Sequence, residues 1–152
     1  MRKKQVWRYY CDYCKKSGCS GGWIAKHEKH CTMNPDRECG MCKHAAGEEV
    51  QPNTDKLIAM LPDPTEYHTA FIDEFGLQRE EWPGLSEAVD KVLPALRESA
   101  NNCPVCLLAA FRQRGIHLSL VENFEYKDEL ASLWAEVNAE AAEAAERDCY
   151  LL

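Results

Sequence analysis

The chain has 152 residues, 45% hydrophobic and 28% charged, with a formal net charge of −7. That is one domain, or a small module joined to a larger one, with enough apolar residues to bury a core. No apolar run approaches the length of a bilayer, and Met1-Arg2-Lys3-Lys4 is not followed by an apolar signal core. The chain is therefore expected to stay in the cytoplasm, or in the nucleus of a eukaryotic cell, and not to be secreted.

The charge is unevenly placed. Residues 1–46 hold ten Lys/Arg against four Asp/Glu, whereas residues 47–152 hold eight against twenty-one. A basic arm on an acidic body directs the arm towards phosphate. The basic stretch also holds six of the nine cysteines. In a reducing compartment, Cys-x-x-Cys pairs read as metal ligands or redox dithiols rather than disulfides. Three such pairs are present: Cys11/Cys14, Cys39/Cys42 and Cys103/Cys106.

In chain order, residues 1–10 are basic and aromatic (Arg2, Lys3, Lys4, Trp7, Arg8, Tyr9, Tyr10). Residues 11–46 carry six Cys and three His, and are too short and polar to fold without a metal. They complete a basic zinc-binding module over residues 1–46, with a turn at Asn34-Pro35-Asp36. Residues 47–55 read as a linker. Residues 56–152 read as an acidic helical domain. A short helix is predicted over 55–61, ending at Pro62, and another over 65–75, starting after Asp63-Pro64 and ending near Gly76. Residues 86–100 place Val89, Val92, Leu93 and Leu96 on one helical face, with Ser86 as N-cap and Pro94 as a kink. Asn102 is expected to cap the next helix, with Pro104 in its first turn and Gly115 just past its end. Ile116, Leu118 and Leu120 alternate with His117 and Ser119 and predict a short strand. From Lys127 to about residue 147, Leu130, Leu133, Trp134, Val137 and Ala141 line one stripe of an amphipathic helix that packs on the core. The expected fold is mainly α.

Cys11-x2-Cys14-x12-His27-x3-Cys31 has the ligand spacing of a small zinc site. Two thiolates from a tight knuckle must converge with two ligands one helical turn apart. A helix over residues 21–31 places His27 and Cys31 at i and i+4, on one face. This segment resembles the two-Cys/two-His zinc finger with its last His replaced by Cys. Tyr9 stands where that family has an aromatic two residues before the first Cys. Ile24 stands where it has an apolar residue three before the His. The family's second core aromatic falls at Gly18 and is missing, leaving Cys19 or Trp23 to fill the space. The resemblance covers residues 9–31 and implies a short β-hairpin followed by a helix around one zinc ion. His30 competes with Cys31 as fourth ligand, but its spacing from His27 is shorter than usual. A metalloprotease site fails, because His27-Glu28-Lys29-His30 brings the second His one position too early.

Cys39, Cys42, Cys103 and Cys106 remain. Two knuckles meeting make a closed four-thiolate zinc site that staples the N-terminal module to the helical body, with His44 as a substitute ligand for one thiolate. Cys103-Pro104-Val105-Cys106 also resembles a redox dithiol at a helix N-terminus, although no strand precedes it. A nuclease reading lacks its Asp-His pair, and His68 and His117 are isolated. Cys19 and Cys149 have no evident partner.

Two zinc ions held wholly by protein ligands leave no position for substrate, which points to a non-enzymatic regulatory protein. Nucleic acid is the expected partner, with neither a membrane nor a small-molecule substrate. If the finger docks as its relatives do, Ser20, Trp23 and Lys26 face the groove. Lys15, Lys16 and Lys29, with Arg2, Lys3, Lys4 and Arg8, then meet phosphates. One finger spans only about three base pairs, so phosphate-driven contact is expected rather than sequence-specific readout. The alternative is a zinc-stapled protein–protein adaptor or inhibitor acting through the acidic helical body.

Overall fold

The computed structural model of the protein describes residues 5–46 and 51–149. The fold is mainly helical, with two small antiparallel hairpins. Strands β1 (Tyr9–Tyr10) and β2 (Ser17–Gly18) pair with Tyr9 opposite Gly18 and Tyr10 opposite Ser17. Helix α1 (Gly21–His30) follows at once. The Ser20 hydroxyl accepts the Trp23 N–H at 3.3 Å, meeting one of the four orphan donors of the first turn. The predicted boundary at 31 falls one residue late. Cys31 is extended (φ −61°, ψ 128°) and caps the helix, sending the chain back towards Cys39.

Helix α2 (Gly40–Ala46) carries Cys42, and α3 (Thr54–Met60) starts at an Asn53 cap whose side chain accepts the Lys56 N–H at 3.1 Å. The predicted helix over 65–75 is not formed. Asp63-Pro64 starts only a single 3-10 turn (Pro64–Glu66). Strands β3 (Thr69–Ile72) and β4 (Gln78–Glu81) then form a hairpin, with Phe71 opposite Arg79. β-branched and aromatic residues in β3 favour the strand. Asp73 closes the turn by accepting the N–H groups of Phe75 and Leu77, both at 2.9 Å, and Gly76 supplies a left-handed φ of 76°.

Helix α4 (Leu85–Ser99) buries Leu85, Val89, Leu93 and Leu96 along one stripe, while Pro94 sits on its exposed side. Its N-cap is Gly84, in the left-handed region, rather than Ser86, which lies inside the helix. Asn101 and Asn102 both adopt positive φ and make the turn into α5 (Pro104–Arg114), so Cys103 and not Asn102 takes the N-cap position. Gly115 ends α5 at φ 83°, as expected. Leu107, Ala109, Ala110 and Phe111 are all buried, which makes α5 the central helix. Phe111 packs on Phe124 with ring centroids 5.2 Å apart.

Residues 116–120 form no strand. Leu118–Leu120 is a 3-10 turn in which the His117 side chain accepts the Ser119 N–H, and no strand among the described residues pairs with it. Helix α6 (Tyr126–Cys149) packs Leu130, Leu133 and Val137 against the core. Trp134 and Ala141, assigned to the same stripe, are exposed.

The N-terminal module is fastened to the body by side chains distant in sequence. The Gln113 amide donates to the carbonyls of Thr32 (2.9 Å) and Asn34 (3.1 Å), and Arg112 Nη1 donates to the Thr32 hydroxyl at 2.9 Å. Gln51, read from sequence as linker, donates to the Arg37 carbonyl and accepts the Cys39 N–H, both at 2.7 Å.

Candidate metal centres

The β1–β2 hairpin and α1 bring Cys11, Cys14, His27 and Cys31 together, with one donor atom of each within 4.8 Å of all the others. Cys14 Sγ lies 3.3 Å from His27 Nε2. Tetrahedral zinc with ordinary Zn–S and Zn–N bonds would separate those atoms by about 3.5 Å. Ile24 seals the inner side with Cys11 and Cys31. Glu28 Oε1 accepts the Asp12 N–H at 2.9 Å and pins the knuckle to the helix. Burial, helped by the Lys16 charge, pushes the His27 pKa down, so the ring is the neutral imidazole a metal requires. Burial alone would raise the Cys14 pKa. The Lys16 N–H, the neighbouring thiols and the Lys16 charge reverse this and lower it.

His30 is not a ligand here. Its ring is exposed, and Nδ1 lies 3.0 Å from the Glu38 carbonyl. The space left by Gly18 is filled by Trp23, whose ring lies where a Gly18 Cβ would meet it at 3.2 Å. Cys19 is exposed and free. Tyr9 does not enter the small core and is 47% exposed, with its ring laid against Gly21.

The second set is fully buried. Cys39 and Cys42 come from the start of α2, and Cys103 and Cys106 from the start of α5. Cys39 Sγ is 3.7 Å from Cys103 Sγ, and Cys42 Sγ is 3.6 Å from Cys106 Sγ. A zinc tetrahedron with 2.3 Å bonds has edges of about 3.8 Å, whereas a disulfide would need about 2.05 Å. Four sulfurs this close cannot all ionise without a cation. Cys39 is held far below the usual thiol range by hydrogen bonds from Cys103, Cys106 and Cys42, while Cys42 is pushed far above it, mainly by Cys103.

Arg37, which sequence reasoning did not single out, completes this centre. It is 3% exposed, and its Nη1 donates to Cys106 Sγ at 3.7 Å. Burial alone would lower its pKa, but the sulfurs of Cys39 and Cys106 raise it, so the guanidinium stays charged against the cluster. An arginine two residues before Cys-x-x-Cys is not recognisable as a counter-charge until Cys106 is beside it. His44 stands apart, its ring 5.2 Å from that of Trp134.

Both clusters fit two zinc ions, one per site. Cys149's side chain and the arm residues Arg2, Lys3 and Lys4 lie outside the described residues. Of the residues expected to meet nucleic acid, Lys15, Lys16, Ser20, Trp23, Lys26 and Lys29 are all exposed. Lys29 is ion-paired to Glu38 at 2.9 Å. Lys16 Nζ lies over the Trp23 ring, 5.0 Å from its centroid. No described helix is long and apolar enough to cross a membrane. Comparison with protein families, with curated proteins and with solved structures found no match.

Proposed function

We propose that this is a non-enzymatic, zinc-braced regulatory protein that contacts nucleic acid through its basic N-terminal finger. The observation that carries this reading is the set of exposed cations around the first centre. Lys15 and Lys26 have no ion-pair partner among the described residues, and Lys16 stands over the half-exposed Trp23 ring beside the centre. Lys29, held by Glu38, contributes less. Each zinc, when bound, supplies a cross-link that gives this short polar segment a fixed shape. All four donors at each centre are protein atoms, which supports a structural rather than catalytic role.

The test is an anisotropy titration of a labelled nucleic acid with the zinc-loaded full chain across a salt series. Neutralising Lys15, Lys16 and Lys26 to Gln together should weaken binding and reduce the log–log salt slope by about 2–3. Binding indifferent to salt overturns the proposal.

One observation favours the adaptor reading. The β3–β4 hairpin exposes Phe71, Ile72, Phe75 and Leu77, the last three more than half, amid Glu74, Glu80 and Glu81. Under that reading Phe75→Ser abolishes function and the triple Lys variant leaves it intact.

A further inference from the structure

We infer that the nucleic acid taken by the finger is single-stranded, with bases stacking on a platform made by Trp23 and Tyr9. This rests on the nucleic-acid reading above and narrows it to a class of ligand.

The platform is built by two glycines. A Cβ on Gly18 would meet the Trp23 ring at 3.2 Å, and a Cβ on Gly21 would meet the Tyr9 ring at 3.1 Å. Tyr9 and Gly18 are cross-strand partners in the hairpin, and Gly21 opens α1. Each ring therefore lies over a glycine at the junction of hairpin and helix, Trp23 also stacked near His27 with centroids 6.2 Å apart. Each is supported from beneath and about half exposed, 48% for Trp23 and 47% for Tyr9. The half of each ring that stays in water adds nothing to folding, but its support from beneath preorganises it to receive another planar group. Trp7 and Tyr10, 84% and 64% exposed, continue the aromatic run along the same segment.

The charge around the rings suits the same ligand. Lys16 stands over Trp23, and Lys15 and Lys26 are exposed nearby in sequence on the same module. Aromatic faces interleaved with cations are the recognition chemistry of single strands, where stacking is tolerant of sequence and the backbone is followed by charge.

Duplex readout is poorly served by these side chains. The Ser20 side chain is short, and its oxygen accepts the Trp23 N–H at 3.3 Å. The Trp23 ring lies back on Gly18 rather than projecting from the helix. Of the three groove-facing positions, Lys26 is the one long polar side chain.

The test uses the zinc-loaded full chain and labelled strands of about twelve nucleotides, namely oligo-dT, oligo-U, the matching dT duplex, and an abasic strand with the same phosphates. At equal salt, at least one of oligo-dT and oligo-U should bind about tenfold or more tightly than both the duplex and the abasic strand. The two single strands also show whether deoxyribose or ribose is preferred. Trp23→Ala, checked for two retained zincs, should weaken oligomer binding about five- to hundredfold and leave abasic binding unchanged. The abasic comparison needs no variant and decides the matter even if Trp23→Ala fails to fold. If the abasic strand or the duplex binds as tightly as the single strands, the stacking platform is overturned while the nucleic-acid reading survives. If no strand binds in a salt-dependent way, both fall.

Discussion

Replacing Cys106 with Ser takes one sulfur from the buried four-cysteine centre, and its effect can be worked from two features. The centre joins α2 to α5 across the sixty residues from Lys43 to Asn102. Releasing a cross-link of that span returns about 4 kcal/mol of loop entropy to the unfolded chain. The same change removes the sulfur 3.7 Å from the Arg37 guanidinium, which is 3% exposed. Breaking a buried charge pair costs about 3–5 kcal/mol. Either effect alone rivals the ~5–15 kcal/mol that separates a folded domain from its unfolded chain. The variant should bind one zinc in place of two, measured by metal release to a chromophoric chelator. Its urea midpoint, followed by circular dichroism and tryptophan emission, should fall by at least about 2 M, the share of the loop-entropy loss alone, for a slope of ~2 kcal/mol per M. Two retained zincs with a midpoint within about 0.5 M of the parent chain would refute the reasoning. The sulfurs would then be packed thiols and not a closed link.

Other consequences are equally direct. Arg37→Met keeps the volume and removes the charge, so zinc affinity at the four-cysteine centre should fall about 10–100-fold in a chelator competition, with the first centre untouched; equal affinity would make the guanidinium a space-filler. His27→Ala should carry one zinc and His30→Ala two, because only His27 reaches the cluster; the reverse stoichiometry would reassign the ligand. Asp73 accepts from Leu77 and Phe75 N–H groups and from Arg79, with Leu77 the largest influence, and its carboxyl is held below the usual range. Because an unfolded Asp titrates near ~3.9, its support of the β3–β4 turn is complete above about pH 5 and is lost as pH falls through the lower folded value. Protection factors of the Phe75 and Leu77 amides, corrected for intrinsic exchange, should fall accordingly, and Asp73→Ala, which has no side-chain acceptor, should show low protection at every pH. Gly18→Ala inserts a methyl 3.2 Å from the Trp23 ring and should shift tryptophan emission while both zincs remain bound; an unchanged spectrum would mean that the ring is not seated there.

The metal donors were legible because their spacing is local chemistry. Cys11/Cys14, Cys39/Cys42 and Cys103/Cys106 each form a tight knuckle, and His27 follows at a distance one hairpin and one helical turn can span. The stripe of Val89, Val92, Leu93 and Leu96 and the Gly115 stop were likewise written in helical period and terminator chemistry, while Leu85, one residue before the predicted start, was added by the structure. Residues 65–75 were misread because Asp63-Pro64 is a valid helix start. The hairpin prevails there through pairing of Thr69–Ile72 with Gln78–Glu81, which no window over 65–75 contains. Residues 116–120 alternate like a strand but have no strand to pair with among the described residues.

Composition and spacing by themselves thus determined a basic, cysteine-rich arm on an acidic helical body, and the eight donors of its two centres. Only the tertiary structure decided that Arg37 sits as a counter-charge against the inner centre, that Gln51 and Gln113 clamp the module to the body, and that Trp23 and Tyr9 lie on glycines while staying about half exposed. The reason is one of range. A knuckle or a helix is encoded within a few residues. A counter-charge, a clamp or an aromatic platform exists only after the folded chain has brought distant side chains within a few ångströms of one another.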